Sequence, residues 1–136
     1  MFKRFLKNWI FTQDRIGKNN IPFTIYKLRT MTNHKVIPTR AWLRKTRIDE
    51  LPQVWNILKG DMSLVGPRPL VIQDHFSARK EWRMPVKPGM TGLWQIKSGS
   101  MKDIMIWDYL YVNNKSWWYD FKLVLRTPYA IWRRRI

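Results

Sequence analysis

The chain has 136 residues, which is the length of one average domain and too short for two independent hydrophobic cores. Its 26 Lys and Arg outnumber its 9 Asp and Glu, which predicts an anionic partner, and the absence of Cys excludes disulfides and thiolate metal sites. No uncharged apolar run reaches the roughly 18 residues that cross a bilayer, so the sequence predicts one domain, residues 1–136, without a spanning helix.

The tryptophan content helps to decide between the anionic partners that the charge allows. Charge alone does not separate nucleic acid from an anionic bilayer or from a phosphate-bearing substrate. Nine Trp residues are an unusual number for this length, and indole rings favour the membrane interface, where the N–H reaches water. The composition therefore favours a membrane surface, and no RNP-like, helix-turn-helix or zinc-finger pattern supports nucleic-acid binding.

The first third of the chain predicts an amphipathic segment followed by a β-hairpin. Residues 1–10 mix cations with aromatic and aliphatic residues and lack the apolar centre of a secretory signal, which suits a segment lying on a membrane. Residues 9–15 and 22–30 are rich in aromatic and β-branched residues and flank a Gly-Lys-Asn-Asn turn. Strand alternation places Lys27 and Arg29 on one face, either as phosphate ligands or as a solvated edge, and spacing alone favours the edge.

The middle of the chain predicts two short helices, a basic one over residues 39–45 and a second over residues 50–59 with apolar residues at helical spacing. Asp49 is then the expected N-cap of the second helix. A start at Thr46 would place Pro52 inside the helix, where proline costs about 3 kcal/mol.

The acidic pair Asp49 and Glu50 also has a chemical interpretation. Arg44, Lys45 and Arg47 immediately precede it and would favour ionised carboxylates and attract phosphates. An ionised Asp49 can act as a nucleophile, and Glu50 can hold a magnesium ion that bridges to a pyrophosphate. Capping is nevertheless the commoner role of acidic residues at a helix start, so both interpretations stay open on these residues alone.

Two proline–glycine segments, residues 65–69 and 87–92, are predicted to be ordered loops, with a helix near residues 71–82 between them. In the first loop two prolines stiffen the backbone on either side of Arg68. Arg68 is therefore either a bidentate phosphate ligand or an ordinary solvated turn residue.

The end of the chain, residues 104–135, predicts two helical pieces broken near Pro128, with aromatic residues among Lys and Arg that suit interfacial anchoring. His34 and His75 lie in no ligand-like cluster. Taken together, the patterns predict a compact, mostly helical α+β domain with an N-terminal β-hairpin and amphipathic helices on a membrane surface.

Several stretches of this sequence carry a family resemblance: residues 13–18 with 22–31, 43–53, 58–70 and 87–95. They resemble the bacterial sugar transferase family, the monotopic phosphoglycosyl transferases, from about Trp9 onward. The resemblance implies that Asp49 is a nucleophile that attacks the sugar-proximal phosphate of a UDP-sugar and releases UMP. It further implies that Glu50 is associated with Mg²⁺, that Arg68 binds phosphate, and that polyprenol phosphate accepts the sugar phosphate.

The resemblance also implies a place and a process, namely the cytoplasmic face of the bacterial inner membrane and the first step of a surface polysaccharide or glycoconjugate. Family members normally carry a long apolar re-entrant helix before the hairpin, and ten mixed residues stand here instead. The segments at 32–40 and 97–102 are shorter than expected. A non-catalytic, truncated membrane-associated protein is therefore the second hypothesis, and a nucleic-acid-binding module is the third.

Overall fold

The computed structural model describes residues 1–72, 85–97 and 100–135, which form helices and short strands. In chain order the elements are α1 (Phe2–Trp9), β1 (Ile10–Ile16), a 3₁₀ turn (Lys18–Asn20), β2 (Pro22–Leu28), β3 (Met31–Thr32), β4 (Lys35–Val36), a 3₁₀ turn (Pro38–Arg40), α2 (Ala41–Lys45), a 3₁₀ turn (Ile48–Glu50), α3 (Gln53–Lys59), β5 (Ser63–Val65), β6 (Leu70–Val71), β7 (Gly89–Thr91), α4 (Leu93–Lys97), α5 (Met101–Asn114) and α6 (Trp117–Arg135). The predicted mixture of helix and sheet is confirmed.

The N-terminal hairpin forms as predicted. β1 and β2 pair antiparallel along their full length, and β6 adds to the other edge of β1, which gives a sheet in the order β2-β1-β6. The Gly17 N–H donates to the Ile21 carbonyl at 2.9 Å and closes the turn. Asn19 and Asn20 take left-handed backbone angles there, with φ of 56° and 61°, which asparagine tolerates better than most residues. Local sequence therefore suffices to build this element.

Two groups of buried side chains hold the elements together. Phe23, Ile25 and Met62 pack beneath the hairpin. Val65, Leu93, Tyr111 and Leu123 join β5 to the three C-terminal helices. Each such side chain contributes about 1.5–3 kcal/mol when it is fully buried, so these groups fix the hairpin and the C-terminal helices separately.

Asn56 of α3 links that helix to the hairpin and is fully buried. Its side-chain oxygen accepts from the Tyr26 N–H at 3.2 Å, and its amide donates to the Thr24 carbonyl at 2.6 Å. These bonds use backbone groups of β2 on its free edge, where they would otherwise lack partners. The contact fixes α3, and the chain that precedes it, against β2.

The loop at residues 65–69 is ordered, as predicted, because it packs against the segment at 87–92. The Gly66 N–H donates to the Thr91 carbonyl at 3.0 Å, and the Gly89 N–H donates to the Pro67 carbonyl at 2.9 Å. A Cβ atom added to Gly66 would collide with the Lys87 carbonyl oxygen. Glycine is required here by the close approach of two backbones.

The second predicted helix begins later than expected. α3 starts at Gln53, directly after Pro52, and Ile48–Glu50 form a separate 3₁₀ turn. Asp49 therefore does not cap α3, and the prediction of an N-cap is wrong. The physical reason is that Pro52 has a fixed φ and no N–H, so it suits the position before the helix. The basic helix predicted at 39–45 is confirmed as a 3₁₀ turn that continues into α2.

Helix α6 runs without a break through Pro128, so the predicted interruption there is wrong, and the two C-terminal helices are separated at residues 115–116 instead. Proline inside a helix costs about 3 kcal/mol. Burial of Leu123 and Ala130, on either side of the proline, offsets that cost. The helix predicted at 71–82 falls largely outside the described residues, and Val71 itself lies in β6.

Helix α6 has two contrasting faces. One face buries Leu123 and Ala130, and on it the hydroxyl groups of Thr127 and Thr91 lie 2.8 Å apart. The opposite face, here called the aromatic stripe, follows a helical spacing of three and four residues and is exposed to solvent: Trp118, Phe121, Leu125, Tyr129 and Trp132. Within the described residues no helix combines the length and the apolar character needed to cross a membrane.

Candidate active site

A cavity of about 1110 Å³ lies where the end of the N-terminal hairpin, the β3–β4 hairpin and the 3₁₀ turn Ile48–Glu50 meet. The cavity exceeds the usual size range of sites for a single small ligand, which extends to about 1,000 Å³. Five cations line it: Lys27, Arg29, Arg44, Lys45 and Arg47. The two carboxylates of Asp49 and Glu50 lie in the same wall. The fold thus brings together all the site residues predicted from the sequence except Arg68.

The acidic pair is positioned by a sharp change of chain direction at Arg47. This residue follows the end of α2 and has φ 61° and ψ 15°, in the left-handed region. Its N–H donates to the Arg44 carbonyl at 3.2 Å, and its own carbonyl accepts from the Glu50 N–H at 3.1 Å. A left-handed conformation costs a non-glycine residue about 1–2 kcal/mol. The strained conformation of Arg47 thus occurs at the turn that directs Asp49 and Glu50 to the cavity.

Glu50 is almost fully buried and is held by two cations. Its Oε1 lies 3.5 Å from Lys27 Nζ and 3.3 Å from Arg47 Nη1. A buried carboxylate needs such partners, because an unpaired charge in a low-dielectric environment is strongly unfavourable. Burial lowers the pKa of Lys27, although the neighbouring Glu50 opposes this effect. Both contacts use the same oxygen, and Oε2 of Glu50 makes no hydrogen bond to any described residue.

Asp49 has a different environment from Glu50. Its Oδ1 is buried and has no hydrogen-bond partner among the described residues. Burial raises the pKa of Asp49 above its ordinary value, and the adjacent Glu50 raises it further, whereas Lys27, Arg47 and Arg44 lower it. A buried acceptor without a donor is uncommon and calls for an explanation such as a catalytic role. Capping does not explain Asp49, because it makes no capping hydrogen bond.

The two cations of β2 and its end do not lie on a solvated edge, so the interpretation that spacing alone favoured is wrong for Lys27. Only about a quarter of its side chain is exposed, at 26%, and it pairs with Glu50 across 23 residues of sequence. Arg29 lies just beyond β2, where its N–H donates to the Trp9 carbonyl at 2.6 Å, and it lines the same cavity. Tertiary contact with the 3₁₀ turn converts this strand edge into a cavity wall.

Arg68 does not occur among the described residues that line the cavity. Its N–H donates to Oδ2 of the buried Asp108 at 3.1 Å, and its guanidinium carbon lies 5.8 Å from the centre of the Trp94 ring. Arg15 supports the same loop by donating to the Pro69 carbonyl at 2.8 Å. The loop is therefore well fixed, and the structure places its arginine beside an aromatic ring rather than in the cavity wall.

Sequence reasoning missed two features of the cavity. The first is the contact of Arg47 with Glu50, since Arg47 was considered only as one of three nearby cations. The second is the β3–β4 hairpin, whose turn residues Asn33 and His34 both have positive φ, at 49° and 62°, and line the cavity. An asparagine in a short polar segment between apolar residues is a typical turn signal. That signal was available but was not used.

The described residues contain no cluster of three or more His, Cys, Asp or Glu side chains that would form a metal site by themselves. The two adjacent carboxylates still fit Mg²⁺, which proteins bind through one or two carboxylates together with substrate phosphates. The donor atoms that remain without partners, Asp49 Oδ1 and Glu50 Oε2, have the oxygen chemistry this ion prefers. The cations around them suit a phosphate group.

Carboxylates set among cations that attract phosphate are typical of proteins that act on phosphorylated substrates. Comparison with known proteins agrees with this class: the family described as bacterial sugar transferase matches residues 3–134. The chain belongs to the bacterial sugar transferase family.

Relatives with assigned names are similar over most of this chain. The galactosyl transferase CpsE of Streptococcus agalactiae is 35% identical over 87% of this chain and 33% of its own length. The undecaprenyl-phosphate galactose phosphotransferase of Salmonella typhimurium is 31% identical over 92% of this chain and 33% of its own length. The UDP-glucose:undecaprenyl-phosphate glucose-1-phosphate transferase of Caulobacter vibrioides is 39% identical over 87% of this chain and 54% of its own length. The chain thus spans about a third to a half of these proteins.

Proposed function

We propose that the chain transfers a sugar 1-phosphate from a UDP-sugar to a membrane polyprenol phosphate, with Asp49 as the nucleophile. The observation that carries this proposal is the buried Oδ1 of Asp49, which has no hydrogen-bond partner among the described residues and lies in a wall rich in cations. Relatives named for the transfer of sugar phosphates to undecaprenyl phosphate support the same class of reaction. Sugar identity is left open, because specificity depends on contacts spread over several loops.

The reaction has two steps in which bonds and charges balance. In the first, a carboxylate oxygen of Asp49 attacks the sugar-proximal phosphorus, the bond from phosphorus to the bridging oxygen breaks, and UMP leaves with that oxygen. In the second, a phosphate oxygen of polyprenol phosphate attacks the same phosphorus and breaks the bond to Asp49. The product is a polyprenyl diphosphate sugar, and the carboxylate is regenerated.

The raised pKa of Asp49 suits this role. A carboxylate that receives no hydrogen bonds keeps its electron pairs available, and a raised pKa accompanies greater basicity. The pKa must still lie below the working pH, and the opposing influence of Lys27, Arg44 and Arg47 limits the rise. Burial therefore raises the basicity of the nucleophile, and the surrounding cations oppose its protonation.

The cations of the wall bind and orient the diphosphate in this proposal. Lys27, Arg29, Arg44 and Lys45 line the space in front of the carboxylates, where they offset phosphate charge and favour the departure of UMP. A bound Mg²⁺, held by Glu50 with Asp49 nearby, would stabilise charge on the pyrophosphate oxygens. Arg68 remains a predicted phosphate ligand, and its role requires a substrate long enough to reach the loop beside Trp94.

The aromatic stripe of α6 supports the finer proposal that the protein works at a membrane surface. Trp118, Phe121 and Leu125 are between 50% and 64% exposed, although side chains of this size usually avoid water. Every residue of α1 is exposed as well, including Phe2 and Phe5. Indole and phenyl rings beside cations suit the interface of an anionic bilayer. A polyprenol phosphate acceptor would lie in such a bilayer, which we place at the cytoplasmic face of the bacterial inner membrane.

The test is UMP release from a panel of UDP-sugars, with Mg²⁺ and polyprenol phosphate in detergent. Asp49→Asn should abolish release, whereas Asp14→Asn, which changes an exposed acid in β1 away from the cavity, should not. Incubation with UDP-sugar alone should add the mass of a sugar phosphate to the wild-type chain and leave the Asp49→Asn variant unchanged. Release that survives the Asn substitution rejects the nucleophile, and no release from any sugar rejects catalysis by this chain.

A further inference from the structure

We propose that Arg47 is a positioning residue of the active site, which holds one carboxylate oxygen of Glu50 and thereby keeps the other oxygen, with Asp49 Oδ1, available for a divalent cation. The proposal rests on the proposed function for the identity of the reaction. It assigns Arg47 a task that differs from the phosphate binding of Arg29, Arg44 and Lys45. Three observations support it.

The first observation is that the two oxygens of Glu50 have different contacts. Arg47 Nη1 and Lys27 Nζ approach the same atom, Oε1, at 3.3 and 3.5 Å, and Oε2 makes no hydrogen bond to the described residues. A buried carboxylate that lost one of these cations would be free to turn toward the remaining one. Two cations that approach from different elements, the strand β2 and the turn before the acidic pair, define one orientation instead.

The second observation is the backbone of Arg47 compared with an equivalent position nearby. α3 ends at Gly60, which has φ 89°, so glycine occupies the left-handed residue at the end of that helix, as is usual. The end of α2 uses the same kind of conformation, with φ 61°, but the residue is arginine. Retention of a side chain at a strained position indicates that the side chain has a function. Within the described part of the chain, the side chain of Arg47 donates its hydrogen bond to Glu50.

The third observation is the contrast between Arg47 and the neighbouring cations. Lys45 ends α2 and lines the same cavity, yet its side chain is exposed and forms no ion pair in the described part of the chain. Arg44 is also exposed. Arg47 is only 36% exposed at its side chain and is the cation of this segment that contacts the acidic pair. Proximity in sequence therefore does not give these three cations the same role.

The experiment separates the side chain of Arg47 from its backbone. Arg47→Gly relieves the strained conformation and removes the guanidinium group. Arg47→Asn replaces the charged side chain by a neutral one that tolerates left-handed backbone angles. Arg47→Lys is the conservative variant that restores a cation. The matched control is Asn19→Gly, which relieves the same conformation, with φ 56°, in the turn between β1 and β2. Each variant is measured for thermal midpoint, for kcat/KM of UMP release, and for Mn²⁺ binding by electron paramagnetic resonance with UMP present.

We expect Arg47→Gly and Arg47→Asn to stay folded, because Lys27 still pairs with Glu50 and the new residues suit the left-handed backbone. Both variants should lose about 10–100-fold in Mn²⁺ affinity and in kcat/KM, as is usual for residues that orient a metal ligand. Arg47→Lys should recover part of both losses, and Asn19→Gly should change neither. If the Gly and Asn variants keep the wild-type Mn²⁺ affinity and kcat/KM, Arg47 serves only as a turn residue and the positioning role is wrong.

The Mn²⁺ measurement also separates this proposal from the proposed function. If the wild-type chain releases no UMP, the transferase proposal fails, but a loss of Mn²⁺ affinity in Arg47→Gly still supports the positioning role. Equal Mn²⁺ affinity in the wild type and the Gly and Asn variants overturns that role whatever the activity. Absence of Mn²⁺ binding by the wild-type chain with UMP present overturns it as well.

Discussion

The active-site cavity and the aromatic stripe of α6 depart from the usual distribution of residues in opposite directions. At the cavity, the charged Glu50 is buried with only 6% of its surface exposed, and Asp49 Oδ1 is buried without a hydrogen-bond partner among the described residues. On α6, Trp118 and Tyr129 are more than 60% exposed. Charged groups normally face water and aromatic rings normally avoid it. Neither arrangement improves the stability of the isolated fold.

The two regions suit different surroundings. The cavity has carboxylates and cations that suit a phosphorylated ligand together with a divalent cation, and the cation would give Asp49 Oδ1 the partner that it lacks among the described residues. The stripe suits an apolar surface that would cover it. Positions that break a local rule without benefit to the fold are where function is expected. Each prediction below tests whether one of these departures serves function rather than stability.

The largest effect is expected at Asp49. Asp49→Asn should reduce UMP release by about 10³-fold or more, which is the usual consequence of removing a nucleophile. The thermal midpoint should stay the same or rise, because burial disfavours the charged carboxylate in the folded state. Parallel measurement of UMP release and thermal unfolding checks both parts. If the variant loses activity because it unfolds, Asp49 contributes to stability, and the prediction that it serves function alone is wrong.

The next effect contrasts the two faces of α6. Leu123→Ala, at a buried site, should lower the free energy of unfolding by about 2–5 kcal/mol because it leaves a cavity. Leu125→Ala, two residues later in the stripe, should change it by about 0.5 kcal/mol or less. Urea denaturation of both variants measures the difference. Equal destabilisation would mean that the stripe packs against this chain and is not an external surface.

A third effect concerns what covers the stripe. Trp118→Ser combined with Leu125→Ser should weaken binding to anionic phospholipid vesicles by about 100-fold or more, since each large apolar side chain contributes about 1.5 kcal/mol or more when it leaves water. The control replaces Ile21 and Val36 by Ser, since these are exposed apolar residues outside the helix. Vesicle sedimentation measures the change. Unchanged binding of the stripe variant would argue that another surface meets the membrane.

The smallest effect is the pH dependence of stability at Asp49. Its pKa is raised in the folded state, so the folded chain binds more protons than the unfolded chain between pH 3.8 and the raised value. The contribution of Asp49 to the free energy of unfolding therefore falls as pH rises across that window and stays lower at higher pH. The advantage of Asp49→Asn over the wild type should be present at neutral pH and vanish near pH 3.8. Denaturant unfolding at several pH values checks the direction.

A large part of the fold could be predicted from local sequence. The hairpin follows from strand-forming residues around an asparagine-rich turn, and α2 and α3 follow from helical spacing. Predictions failed where local preference competed with packing. Pro128 lies inside α6 because buried residues on both sides of it hold the helix together. α3 begins at Gln53, directly after Pro52, whose fixed φ and missing N–H suit the position before the helix.

The candidate site was predicted in its composition but not in its arrangement. Asp49 and Glu50 were identified from adjacent cations and from the family resemblance. Their unequal environments were not, because Lys27, the second cation on Glu50, lies 23 residues away in the sequence. The placement of Arg68 outside the cavity wall likewise depends on the packing of its loop against residues 87–92.

The sequence by itself determined the hairpin, the basic and aromatic character of the surface, and the identity of the residues that can carry the chemistry. These are local properties, set by spacing, propensity and residue type. The tertiary structure decided which oxygen of Glu50 is held, which oxygen of Asp49 has no partner in the described part of the chain, and which face of α6 remains exposed. Such properties depend on contacts between distant segments, and only the packed chain brings those segments together.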